Sequence, residues 1–126
     1  MNENDISRVI VTSAVEVHRV LGGPGLLESA YEEALCCELS GKGILVARQV
    51  QVPIHYKGQI LATPLRIDVL ANEKVIIEIK ATTQYNRIFE AQALTYLRLT
   101  GLKLVLVINF GERVVKSGIH RVVNNL

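Results

Sequence analysis

Arg66-Ile67-Asp68-Val69-Leu70-Ala71-Asn72-Glu73-Lys74-Val75-Ile76-Ile77-Glu78-Ile79-Lys80 reads as two apolar strands joined by a polar turn, with charges set where a core strand carries none. Side chains alternate across an extended strand, so Glu78 and Lys80 share one face while Val75, Ile77 and Ile79 share the other. A hairpin turning at Asn72, Glu73 and Lys74 places Asp68 directly across from Glu78, and Arg66 across from Lys80. Like charges opposed across a ladder are destabilising unless something compensates, and a bound cation would compensate the carboxylates. The competing reading is a solvated strand face on which Arg66, Asp68, Glu78 and Lys80 form mutual ion pairs, each worth little. Against it, Val75 to Ala81 is otherwise apolar on both faces, as in a central strand.

Upstream of the hairpin, Ile44 to Tyr56 alternates, Lys57-Gly58 turns, and a further run follows from Gln59 to Leu65. Pro53 assigns this strand to an edge or a bulge. Before it, Ile6, Val9, Ile10, Ala14 and Val17 mark one face of a helix over about Asp5 to Val20, with Asn4 or Asp5 as cap. Gly22-Gly23-Pro24-Gly25 breaks that helix. A second is expected from Leu26 or Leu27 to Leu39 or Ser40, with Leu27, Ala30, Tyr31, Ala34 and Leu35 facing inward. Downstream, a helix over about Arg87 to Leu99 buries Phe89, Ala93, Tyr96, Leu97 and Thr100 and ends at Gly101. Lys103 to Asn109 is a continuous apolar run, the pattern of a strand buried on both faces and parallel to a neighbour. Val114-Val115 with Ile119 to Val123 suggests a last hairpin. The order is α-α-β-β-β-α-β with a terminal β pair, an α/β sandwich around one mixed sheet.

The chain has 126 residues, 49% of them hydrophobic, enough for a real core and one domain over residues 1–126. A net charge of +2 neither demands nor opposes a polyanionic partner. Cys36 and Cys37 lack zinc-type spacing and read as reduced core or near-core thiols of a cytoplasmic protein. The acidic, polar opening Met1 to Asp5 differs from a secretory signal, and no apolar run is long enough to span a bilayer, so no membrane partner is expected.

Asp68 and Glu78 offer hard oxygen ligands on rigid backbone, which suits Mg²⁺ or Mn²⁺. Such a site hydrolyses phosphodiesters through a metal-bound water, with Lys80 placed to steady the phosphate or the attacking water rather than to abstract a proton. His18 has two readings, a helix-end residue that favours the dipole or a member of the site. Glu28 likewise either complements a helix start or joins the site, and it shares a face with Tyr31.

Asp68, then Glu78-Ile79-Lys80, then Gln92-Ala93-Leu94-Thr95-Tyr96 resembles the D…E-x-K…QxxxY series of the PD-(D/E)XK nuclease superfamily, especially its RecB-like branch. Gly25-Leu26-Leu27-Glu28-Ser29-Ala30-Tyr31 resembles the G-x-x-E-x-x-Y signature of the small GxxExxY proteins assigned to that superfamily. The likeness runs through His18-Arg19-Val20-Leu21-Gly22, Gln49 to Gly58, Asn109-Phe110-Gly111 and Gly118-Ile119-His120-Arg121. It implies a restriction-endonuclease-like core, a metal-dependent nuclease and DNA as substrate. It assigns Asp68, Glu78, the Ile79 carbonyl and Glu28, the acidic helix residue of the site, as ligands to Mg²⁺ or Mn²⁺, and Glu28, Asp68, Glu78 and Lys80 as the catalytic set, with Lys80 as the catalytic lysine. Gln92 and Tyr96, with Tyr31, His18 and Arg66, would support site or substrate. Two departures stand out: Arg66-Ile67 replaces the proline of the superfamily's name, and Arg87-Ile88-Phe89-Glu90 occupies a connection expected to hold a polar residue or histidine. No basic, aromatic-interleaved surface is evident, so a homodimer or protein partner is expected to help hold DNA. The alternative is a catalytically silent nucleic-acid-binding or protein-interaction module on the same fold.

Overall fold

A computed structural model describes residues 1–126. Helix α1 (Glu3–Val20) begins on a reciprocal capping box: Asn2 Oδ1 accepts the Asp5 N–H, and Asp5 reaches back to the Asn2 N–H. The cap is thus Asn2, ahead of the expected Asn4 or Asp5, because only there can the residue three positions on return the bond. Its face of Ile6, Ile10, Ala14 and Val17 is buried. Helix α2 (Glu28–Gly41) packs beside it. The buried stripe of α2 is Tyr31, Glu32, Leu35, Cys36 and Leu39, whereas Leu27 and Ala30 are exposed, so the helix is rotated from the expected face. Cys36 is buried and burial raises its thiol pKa to about 11, while the neighbouring Cys37 is exposed rather than near-core.

The main sheet contains β1 (Val46–Val52), β4 (Leu65–Ala71), β5 (Val75–Lys80), β6 (Leu104–Asn109) and β7 (Ile119–Val123), in that spatial order. Between β1 and β4 a small separate hairpin, β2 (His55–Tyr56) and β3 (Gln59–Ile60), follows Pro53. Proline cannot continue a ladder, so the expected long alternating strand stops at Val52, at the sheet edge. The hairpin of β4 and β5 pairs Ala71 with Val75 and Val69 with Ile77, in the register expected. Asn72 and Glu73 close it in left-handed conformations, φ 50° and 57°.

Helix α3 (Ile88–Thr100) carries the chain over the sheet from β5 to β6, which pair in parallel, and every residue of β6 is buried. After β6, Val115–Gly118 forms a 3-10 turn rather than a strand, and β7 returns antiparallel on β6 itself. The turn packs closely on β6, and a Cβ on Gly118 would meet the Asn109 carbonyl oxygen at 2.5 Å.

The sheet separates two apolar clusters. Helices α1 and α2 cover the larger, with Val69, Ile77, Ile79, Leu106 and Phe110; α3 covers the smaller, with Ile76, Ala93, Leu97, Val105 and Val107. Ile67 belongs to the smaller cluster and Val69 to the larger, so strict alternation in β4 shifts at Asp68.

Candidate metal-dependent hydrolytic site

Asp68 and Glu78 lie where the sheet opens. The β4–β5 ladder ends at Val69 and Ile77, and the β1–β4 ladder omits the Gln49–Asp68 pair because Gln49 is left-handed, φ 52°. The carboxylates themselves take the backbone donors left over. Asp68 N–H donates to Glu78 Oε2 at 2.9 Å, and Ile79 N–H donates to Asp68 Oδ2 at 2.8 Å. The N–H and C=O of a strand residue point to the same side, so the Ile79 carbonyl also faces this opening.

Each carboxylate retains a second oxygen, Asp68 Oδ1 and Glu78 Oε1, without a hydrogen-bond partner yet not sealed from solvent. Burial, then the charge of Asp68, pushes the Glu78 carboxyl up to about 8. Burial likewise holds Asp68 above its ordinary range, and the Glu32 charge adds to it. The Lys80 ammonium acts in the opposite direction on both. Both carboxyls therefore hold their protons more tightly than exposed ones do, and a bound cation would take the place of a proton. Two paired hard oxygens, a facing carbonyl and access to solvent fit a small divalent cation that keeps waters and takes oxygens from a substrate phosphate. No group of three or more His, Cys, Asp or Glu side chains is placed to hold a metal ion.

Glu32 is the acidic residue the sequence reading passed over. It projects from α2 with its side chain 7% exposed, and accepts from Arg48 Nε at 3.0 Å and Gln49 Nε2 at 2.9 Å. Consecutive strand residues normally point to opposite faces. The left-handed Gln49 breaks that rule and lets both side chains close on one carboxylate. The available signal was a carboxylate inside the apolar stripe Tyr31, Leu35, Cys36, Leu39. Glu28, one turn earlier on the same face, is exposed in the first turn of α2 and joins neither strand carboxylate by a hydrogen bond.

Lys80 is half-buried, its Nζ 4.4 Å from the centre of the Phe89 ring, so the unexpected apolar residue, which falls in the first turn of α3, is what steadies this lysine. Tyr96 is half-buried on α3; burial and then the charges of Glu78 and Asp68 raise its pKa, so the hydroxyl stays neutral beside the pair. Gln92, one turn before it, is exposed, as is Arg66.

Tyr31 and His18 sit in the core of the other face. Tyr31 stacks on Phe110 at 4.6 Å, donates to the Gly23 carbonyl and accepts from the Leu26 N–H, fixing the glycine-rich loop. His18 Nε2 lies 3.1 Å from the Phe110 carbonyl rather than on the last carbonyls of its own helix. Phe110 N–H donates in turn to the Lys80 carbonyl at 2.8 Å, so both rings brace the strand end that carries Lys80.

A family model of the PD-(D/E)XK nuclease superfamily matches residues 4–122, nearly the whole chain, and the protein belongs to that superfamily. No curated protein and no solved structure gives a significant match. The three helices around a mixed five-stranded sheet are those of a restriction-endonuclease-like fold. No helix is long and apolar enough to cross a membrane.

Proposed function

We propose that the protein is a Mg²⁺- or Mn²⁺-dependent nuclease that hydrolyses phosphodiester bonds of DNA. The observation that carries this reading is the Asp68–Glu78 pair at the open end of the β-hairpin, two adjacent carboxylates each with an uncommitted oxygen. A divalent ion bound there supplies Lewis-acid stabilisation of the phosphate and a water of lowered pKa. Asp68, Glu78 and the Ile79 carbonyl hold it. Lys80, kept over Phe89, meets the negative charge that develops on the phosphate. Glu32 enforces the local backbone through Arg48 and Gln49, and its charge keeps the site electronegative.

The resemblance assigns the helix carboxylate to Glu28 and the chain to the GxxExxY branch. Glu28 is on the Glu32 face, one turn toward the helix start, where it would meet substrate rather than the strand pair. Gln92, exposed on α3 in line with Tyr96, is placed to contact the nucleic-acid backbone, and Arg66 adds positive charge on β4. A cytoplasmic location goes with this reading, and a homodimer or protein partner would widen a DNA footprint that a chain of +2 charge offers only weakly.

The test is cleavage of single-stranded, duplex and branched DNA with Mg²⁺ or Mn²⁺, comparing wild type, Asp68→Asn, Glu78→Gln and Lys80→Ala. Cleavage by wild type that is lost in the three variants supports the reading. Activity persisting in all three overturns the site. Inactivity of wild type on every substrate favours the silent binding module.

A further inference from the structure

A second cluster lies on the same face of the sheet. In the ladder, Glu78 pairs with Val107 on β6, and Val107 pairs with His120 on β7. Paired residues share a face, so His120 stands two strands across from Glu78, on the order of 10 Å between backbones. Its ring stacks on Tyr85 with centroids 4.0 Å apart and planes 15° apart. Tyr85 meets Phe89 edge-on at 5.4 Å, and Phe89 is the ring beneath Lys80. The aromatic row thus runs from the catalytic lysine to an open cavity of about 380 Å³ lined by Tyr85, Arg87, Glu90 and His120.

The charges of this cavity decide what it takes. Glu90 lies 3.9 Å from His120 Nδ1, and the Tyr85 hydroxyl donates to it at 3.3 Å, leaving the carboxylate 37% exposed. A carboxylate at the wall disfavours a phosphate, although Arg87 alone would welcome one. Arg87 and Glu90 together suit a neutral planar ligand whose edge offers an acceptor and a donor, and the Tyr85–His120 stack supplies a π-face. A nucleobase has all three features.

Resting on the reading of nucleic acid as substrate, we infer that the Tyr85–Arg87–Glu90–His120 cavity is a nucleobase subsite that takes an unpaired base close to the phosphate held at Asp68 and Glu78. The base lies against the Tyr85–His120 aromatic wall, with Arg87 donating to a base carbonyl or ring nitrogen and Glu90 accepting from a ring N–H or exocyclic amine. A base inside a duplex has its edge engaged, so this subsite favours single-stranded or frayed nucleic acid.

The experiment measures binding by fluorescence anisotropy in EDTA, so that no cleavage enters, using a mixed-sequence single-stranded deoxyoligonucleotide and an abasic strand of equal length. Wild type is expected to prefer the base-bearing strand by about 10-fold, the scale of base–aromatic stacking. His120→Ala should reduce that preference to about 2-fold or less with abasic affinity unchanged, whereas Glu90→Gln should lower the preference while raising affinity for both strands, because a carboxylate that repels phosphate is gone. Tyr85→Phe retains the ring and should retain the preference. Equal affinity of wild type for both strands, or a preference that survives in the His120→Ala, Glu90→Gln double variant, overturns the subsite. A base preference without any metal-dependent cleavage would instead overturn the nuclease reading and leave this subsite standing.

Discussion

Asp68 gives its backbone N–H to the carboxylate of Glu78 at 2.9 Å, and its own carboxylate receives the N–H of Ile79, next to Glu78. The two acidic residues are therefore locked together by hydrogen bonds that crosslink their strands where the ladder has ended. The crosslink brings two carboxyl groups together away from water, and the cost of ionising both appears in the raised proton affinity of Glu78.

Stability of the metal-free protein should fall as pH rises. Burial and Asp68 raise the Glu78 carboxyl from 4.5 to about 8, so between those values the folded chain holds a proton that the unfolded chain has lost. The stabilisation is full below the lower value and lost as pH rises through the upper one, a change on the order of 5 kcal/mol. Thermal melts in EDTA across this range should show Tm falling for wild type and nearly flat for Glu78→Gln. Bound Mg²⁺ should remove the fall, because the ion replaces the proton.

Glu32→Ala should separate the two acidic residues of α2. It removes the acceptor shared by Arg48 and Gln49, costing about 1–3 kcal/mol, whereas Glu28→Ala should leave Tm unchanged. It also withdraws a charge that raises both strand carboxylates, so the pH at which Mg²⁺ begins to bind should move down. Loss of the support should lower cleavage about 10- to 100-fold, more than Glu28→Ala does. Melting curves and initial rates of the two variants check this.

Asn109 should prove a positioning residue. Fully buried beside Lys80 in the ladder, it accepts the Thr82 and Gly111 N–H groups and donates to the Thr82 carbonyl, pinning the chain as it leaves β5. Asn109→Ala strands these groups and should cost about 1–3 kcal/mol. Gly111→Ala should act similarly, since its Cβ would collide with the Thr82 backbone. Calorimetric Mg²⁺ affinity should be retained in both variants while kcat falls, because Lys80 moves and the carboxylates do not.

These contrasts also mark how far local pattern reaches. The Asp68–Glu78 opposition was legible because period-two alternation and a short polar turn set the register with no distant information. The parallel β5–β6 pair was legible because only a strand covered on both faces is apolar throughout. Glu32 was not, since its burial depends on Arg48 and on a left-handed Gln49 in another element. Neither reading of His18, helix end or site, reached its partner, the Phe110 carbonyl 92 positions away. The Val114-Val115 strand failed for the same reason: its apolar pattern fits a strand, yet the segment forms a turn with Gly118 packed closely on Asn109.

The most direct test of the metal site is calorimetric titration of Mn²⁺ into wild type, Asp68→Asn and Glu78→Gln at a pH above 8, where Glu78 is ionised. The expected result is saturable binding of an ion by wild type, accompanied near that pH by proton release, and its loss in both variants. Equal binding by all three proteins, or none by wild type, would contradict a metal held by Asp68 and Glu78.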